Sequence, residues 1–179
     1  MGRENFDDHW DLSEFNDADF TCTISNIHFV AIRNNDNTTS ATGRRANRWN
    51  IFLQTSADSC IMLDMIPGSS PLHGSLKVGS KGSIYTDEQI KVISSTIRGI
   101  NVTLNDIANL IVACGRHKYK FNDNAEGCRH WVTIVAHDLE EACYIFPGVS
   151  AEVKEAASTY WIDPDGSEPC PIAEGTFLA

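Results

Sequence analysis

The chain has 179 residues, 42% of them hydrophobic and 9% aromatic, which is enough for one core and short for two, so a single domain is expected. A net charge of −10 and a pI near 4.9 repel phosphate backbones and anionic lipid, and the basic residues are scattered apart from pairs such as Arg44-Arg45. Nucleic acid and membranes are therefore excluded as expected partners.

Residues 1–18 are rich in Asp, Glu and Asn around isolated Trp10, Leu12 and Phe15, and read as an acidic lead-in, which either docks a few aromatics or stays mobile, to one α+β domain over 19–179. The stretch Met1 to His9 lacks the apolar core of a signal peptide, and no apolar run reaches the length of a membrane span. From Phe20 to Arg33 the apolar positions alternate with a change of phase at Ser25-Asn26, which predicts a strand bent in its middle. A polar loop follows over 34–46. Arg48 to Gln54 and Ser59 to Ile66, joined by Thr55-Ser56-Ala57-Asp58, predict a hairpin closed by Pro67-Gly68. Further strands are expected at Gly74 to Val78 and Val92 to Ile100, giving a largely antiparallel sheet of four to six strands.

The period then changes from two to about 3.6. Thr103 is the expected N-cap, with Asp106 three residues on, for a helix carrying Leu104, Ile107, Ala108, Ile111 and Val112 and stopped by Gly115. After an extended piece at Lys118 to Phe121, a second helix is predicted from Cys128 to Cys143 with Trp131, Val132, Val135, Ala136 and Leu139 as its apolar stripe. A third, capped by Ser150, carries Val153, Ala156, Ala157 and Tyr160, and a Pro- and Gly-rich tail ends the chain. Strands first and two or three helices afterwards give an α+β fold.

Chemistry concentrates where the extended piece meets the second helix. Cys128 sits at a helix start, where orphan N–H groups and the helix dipole favour a thiolate, and Arg129 or His130 adds positive charge. The six cysteines (Cys22, Cys60, Cys114, Cys128, Cys143 and Cys170) are widely spaced with no CxxC pair, and read as reduced thiols of a cytoplasmic protein. No cofactor or metal is expected. Gly74 to Gly82 lacks the Lys-Ser/Thr of a phosphate loop, and His130, His137, Glu140 and Glu141 lack the usual ligand spacings.

Four motifs carry a resemblance: W-x-I-F-L at Trp49 to Leu53, L-D-M-x-P-G at Leu63 to Gly68, Y-x-F at Tyr119 to Phe121, and G-C-R-x-W at Gly127 to Trp131. In these the chain resembles an uncharacterised domain family of filamentous fungi, over most of residues 20–177. More distantly, the order of a W-x-I-F strand, a second strand, a helix and a helix opened by cysteine resembles the circularly permuted papain-like fold of the lecithin retinol acyltransferase and NlpC/P60-related enzymes. That resemblance implies a sheet packed on a helix that presents Cys128 toward the second strand. The chain departs from it at the leading histidine, which is Arg48, and at the second polar position, for which Asp64 is nearest. Arginine does not take a proton from a thiol near neutral pH.

Arg48, Asp64, Cys128 and His130 are thus the candidate catalytic residues, and Trp49, Tyr119, Phe121 and Trp131 the candidates for an apolar substrate pocket between sheet and helix. The plain alternative makes Cys128 a buried small residue, Arg48 and Asp64 a cross-strand ion pair, and the aromatics core. The leading expectation is a cofactor-independent cyclase or isomerase of fungal secondary metabolism, acting without a covalent intermediate on an apolar or anionic small molecule. Arg48 would hold a developing oxyanion while Asp64 orients it or moves a proton. The alternatives are a thiol-dependent acyltransferase or hydrolase using Cys128 with another histidine (His28, His73, His117 or His130), and an inactive module for ligand or protein binding. A homodimer is compatible with the sequence, which leaves the oligomeric state open.

Overall fold

The computed structural model describes residues 6–33, 45–68, 72–83, 88–162 and 166–179; of the loop expected at 34–46, only 45 and 46 fall among them. The strands in chain order are β1 (Trp10–Glu14), β2 (Asn26–Ile32), β3 (Arg48–Ser56), β4 (Ser59–Pro67), β5 (Gly74–Lys81) and β6 (Gln89–Thr96). They form one six-stranded sheet in the order β1-β5-β4-β3-β2-β6. Every neighbouring pair is antiparallel except β1 and β5, which run parallel, so the sheet is mixed.

The residues read as an acidic lead-in supply that parallel edge strand. Trp10 faces Leu76, Phe15 enters the core just before a 3-10 turn, Asp17–Thr21, and Phe20 enters it from within that turn, whose Ala18 N–H donates to the Asn16 side chain. The segment docks through its aromatics, one of the two courses expected for it, because three buried aromatics decide where it lies. The expected bend near Ser25 is the junction between that turn and β2. Upstream of it, Thr23 makes only an isolated bridge to Thr103.

The helices are α1 (Leu104–Ala113), α2 (Cys128–Glu141) and α3 (Val149–Ala157). Asp106 reaches back to the Thr103 N–H (2.8 Å) and hydroxyl (2.7 Å), forming the helix start that the sequence signals. Gly115 ends the α1 segment with φ +68, and Gly148 opens α3 with φ +94, one residue before the helix and two before the cap expected at Ser150. In the tail, β8 (Thr159–Trp161) pairs with β9 (Ser167–Pro169), and β10 (Thr176–Phe177) pairs with β7 (Tyr119–Lys120).

Strand alternation sorts β3 into two faces. Trp49, Ile51 and Leu53 point inward and join Trp131, Val132 and Val135 of α2 in the main core, while Arg48, Asn50 and Phe52 point to the other face of the sheet. Buried Arg129 fastens α2 to the end of α3 and to the tail: its guanidinium donates to the carbonyls of Ala157 (2.9 Å), Cys170 (2.7 Å) and Pro171 (3.0 Å). Hydrogen bonds from a charged donor contribute about 1.5–3 kcal/mol each, so this side chain is a structural rivet.

Candidate functional site

β3 and β4 pair from the turn as far as Ile51 and Leu63, and then part. Beyond that point β3 stays bonded to β2 through Arg48, and β4 stays bonded to β5 through Pro67. Continuing the register would set Asn50 opposite Asp64. Where the ladder opens, polar side chains stand in place of an apolar surface, and the Arg48 guanidinium folds over to make an ion pair with Asp64 Oδ2.

Asp64 is 2% exposed and Asn50 3%, whereas the Arg48 side chain is 48% exposed. The Asp64 Oδ1 and Asn50 Oδ1 atoms are both buried without a hydrogen-bond partner, and the Asn50 amide donates only to Met62 Sδ at 3.3 Å. A buried acceptor left unpaired costs about 1–3 kcal/mol, and this site holds two of them. Burial pushes the Asp64 carboxyl above its ordinary value, against the pull of Arg48 and, more weakly, Lys77.

These groups line an open groove of about 500 Å³ on the face of the sheet turned away from α2. Its floor is Asn50, Met62 and Asp64, and its rim carries Arg48 with Lys77 and Lys81. Glu14 of β1 ties the two lysines together, at 2.5 Å to Lys77 and 2.7 Å to Lys81, and that pairing lowers its pKa to about 2. Asn50, Lys77 and Glu14 escaped the sequence reading. Asn50 was legible in principle as a polar residue at an outward position of an otherwise apolar strand, where Asn is disfavoured. Glu14 was not, since its place depends on a pairing with residues far along the chain.

Cys128 lies on the opposite side of the sheet, partly exposed and packed against the main core at the first position of α2. Burial raises its pKa, opposed by the Trp49 backbone N–H, Arg129 and Arg48 and reinforced by Asp64. The opening between β3 and β4 thus brings Arg48 and Asp64 within electrostatic reach of the thiol, although their side chains leave the sheet on the other face. His130 is engaged elsewhere. Its Nδ1 lies 3.2 Å from the Tyr119 hydroxyl, and its ring sits against Phe177. Among the described residues, His28 bonds Ser94 and Gln54, and His117 faces Asp7, so neither is turned to Cys128.

The aromatic candidates fill space rather than line it. Trp49, Tyr119 and Trp131 are 0% exposed and Phe121 3%, so the apolar pocket expected between sheet and helix is occupied by their own rings. The motifs that contain them have a packing explanation. The Tyr119 hydroxyl donates to the Gly127 carbonyl (2.9 Å) and accepts from the Gly175 N–H (3.0 Å). A Cβ on Gly127 would come within 2.6 Å of that oxygen, and one on Gly175 would strike the same ring. The Y-x-F, G-C-R-x-W and G-T-F segments therefore meet at one buried hydroxyl.

Fold and site together define an α+β domain with a polar groove at a split in its sheet. Residues 27–178 match the domain of unknown function DUF7770, and the chain belongs to that family. No curated protein and no solved structure matches the chain.

Proposed function

We propose that the protein is a small-molecule-transforming enzyme, a cyclase or isomerase that works without a covalent intermediate, with Arg48 and Asp64 as its catalytic pair. One observation carries this reading: a carboxylate 2% exposed, held at Oδ2 by Arg48, whose Oδ1 is buried beside the groove with no partner and whose pKa burial raises. A carboxyl of that kind suits a general acid or base. In the step proposed, Asp64 Oδ1 removes a proton from carbon or oxygen of the substrate, and Arg48 holds the resulting oxyanion. The same proton returns at a second position, so that neither oxidant nor reductant is consumed. Aromatic walls are no part of this site, and the substrate is polar or anionic rather than apolar.

The thiol reading is weaker on physical grounds, since burial holds Cys128 in its protonated form and no imidazole of the described residues is bonded to it. The permuted papain-like relationship is kept as a proposal. It is supported by a helix that opens on Cys128 and packs on β3 and β4. A setting in fungal secondary metabolism rests on the sequence resemblance, and a cytoplasmic one on the wide spacing of the six cysteines.

The test is mass-neutral conversion of metabolites in a cell extract by the purified protein, read as a shift in chromatographic retention at unchanged mass. Asp64→Asn and Arg48→Ala should each lower turnover by about 100-fold or more, the usual weight of general acid–base catalysis, while Cys128→Ser leaves it within a few-fold. The reverse order would overturn the proposal, and turnover in none of the proteins would leave a binding module in its place.

A further inference from the structure

The geometry points to the class of ligand that the groove takes: a small anion that also carries hydroxyl groups, with a hydroxyl donating to Asp64 Oδ1 and Asn50 Oδ1 and the anionic oxygen resting on the Arg48 guanidinium. This inference rests on the groove of the proposed function and adds its substrate chemistry. Both unpartnered floor atoms are acceptors, both side chains are more than nine-tenths buried, and both line the same groove. Two such acceptors call for donor hydrogens from the occupant, which hydroxyl or ammonium groups would supply.

Charge decides between them. Among the described residues, the side chains that pair with one another around the groove are Arg48, Lys77 and Lys81 with Glu14 and Asp64. Glu14 is already taken by its two lysines, and Asp64 by Arg48. Three cations to two carboxylates in these pairs make the rim attract a carboxylate or enolate more than an ammonium. Arg48 spends one nitrogen on Asp64 Oδ2 and, being half exposed, keeps other N–H donors for an anion.

The experiment is a titration of the isotope-labelled full chain with four probes, read at the Asn50 side-chain amide by NMR. The probes are gluconate, which has both groups; hexanoate, with the carboxylate alone; sorbitol, with hydroxyls alone; and diaminobutane, an ammonium donor. Gluconate should move the Asn50 resonances and bind about tenfold tighter than hexanoate or sorbitol, the difference expected when buried acceptors gain or lack their donors. Asn50→Leu, checked for folding by the same spectrum and titrated at the backbone amides of Met62 and Asp64, should cut that advantage to within about twofold.

Tightest binding by diaminobutane, equal binding of gluconate and hexanoate, or no movement of Asn50 with any probe would each overturn the inference. The wild-type titration needs no variant to fold and no turnover, so its outcome is separate from that of the enzyme proposal. Gluconate bound as expected by a protein that converts nothing would keep this inference and remove that one. Diaminobutane preferred by a protein whose turnover depends on Asp64 would do the opposite.

Discussion

At the scale of single residues, the two sides of the sheet hold ionisable groups of opposite promise. Asp64 is lifted by burial yet tethered by Arg48, so one oxygen is fixed and the other is buried without a partner, an arrangement that suits a proton carrier. Cys128 has the helix start that favours a thiolate, but burial outweighs the Trp49 N–H and the two arginines. Its alkylation by iodoacetamide near neutral pH should therefore be slower than that of exposed Cys143, and should accelerate only as pH rises past the ordinary thiol value of 9.0. Peptide mass spectrometry over a pH series checks this, and rapid selective labelling of Cys128 near neutral pH would restore the thiol mechanism. Tyr119 shows the structural counterpart. Burial raises its pKa, and its hydroxyl serves as the post around which Gly127 and Gly175 close.

At the scale of elements, the groove depends on two strand relationships: the opening between β3 and β4, and the docking of β1 beside β5. The second is held at its end by Glu14 between Lys77 and Lys81. Because the Glu14 pKa falls from 4.5 to about 2 in the fold, its contribution is present above pH 4.5 and is lost as pH falls toward 2. Glu14→Gln should speed hydrogen exchange in β1 at neutral pH and low salt, with the difference from wild type shrinking in high salt and disappearing toward pH 2. An effect that survives both changes would mean that Glu14 acts by packing rather than by charge. Local signals made several elements legible in the sequence: the Thr103 and Asp106 capping pair for α1, the Thr55 to Asp58 turn for the β3–β4 hairpin, and the apolar stripe of α2. The β1 pairing was hidden because its partner lies more than sixty residues away. β6 was expected over Val92 to Ile100 but spans Gln89–Thr96, because pairing with β2 sets its ends while Ile100 is left 93% exposed.

At the scale of the whole molecule, one main core carries both the sheet and the helices, and Arg48 and Asp64 lie outside it. Arg48 and Asp64 were identified from the sequence by comparison with a fold in which those positions hold catalytic groups, and the structure pairs them. Composition did not reveal that they face away from Cys128, because which face a side chain takes depends on the register of its strand. Nor did the sequence reveal that Trp49, Tyr119, Phe121 and Trp131 close the core on one another, since aromatic side chains look alike in a pocket lining and in a core until their neighbours are known. An acidic molecule with a cation-rimmed groove on its open sheet face is the outcome, and everything proposed for it turns on the protonation of one buried carboxyl. The decisive measurement is a carbon-detected NMR titration of the Asp64 side-chain carboxyl in the intact protein: the proposed chemistry predicts a midpoint above the ordinary 3.8, and a midpoint at or below 3.8 would reduce the pair to a plain ion bridge and contradict it.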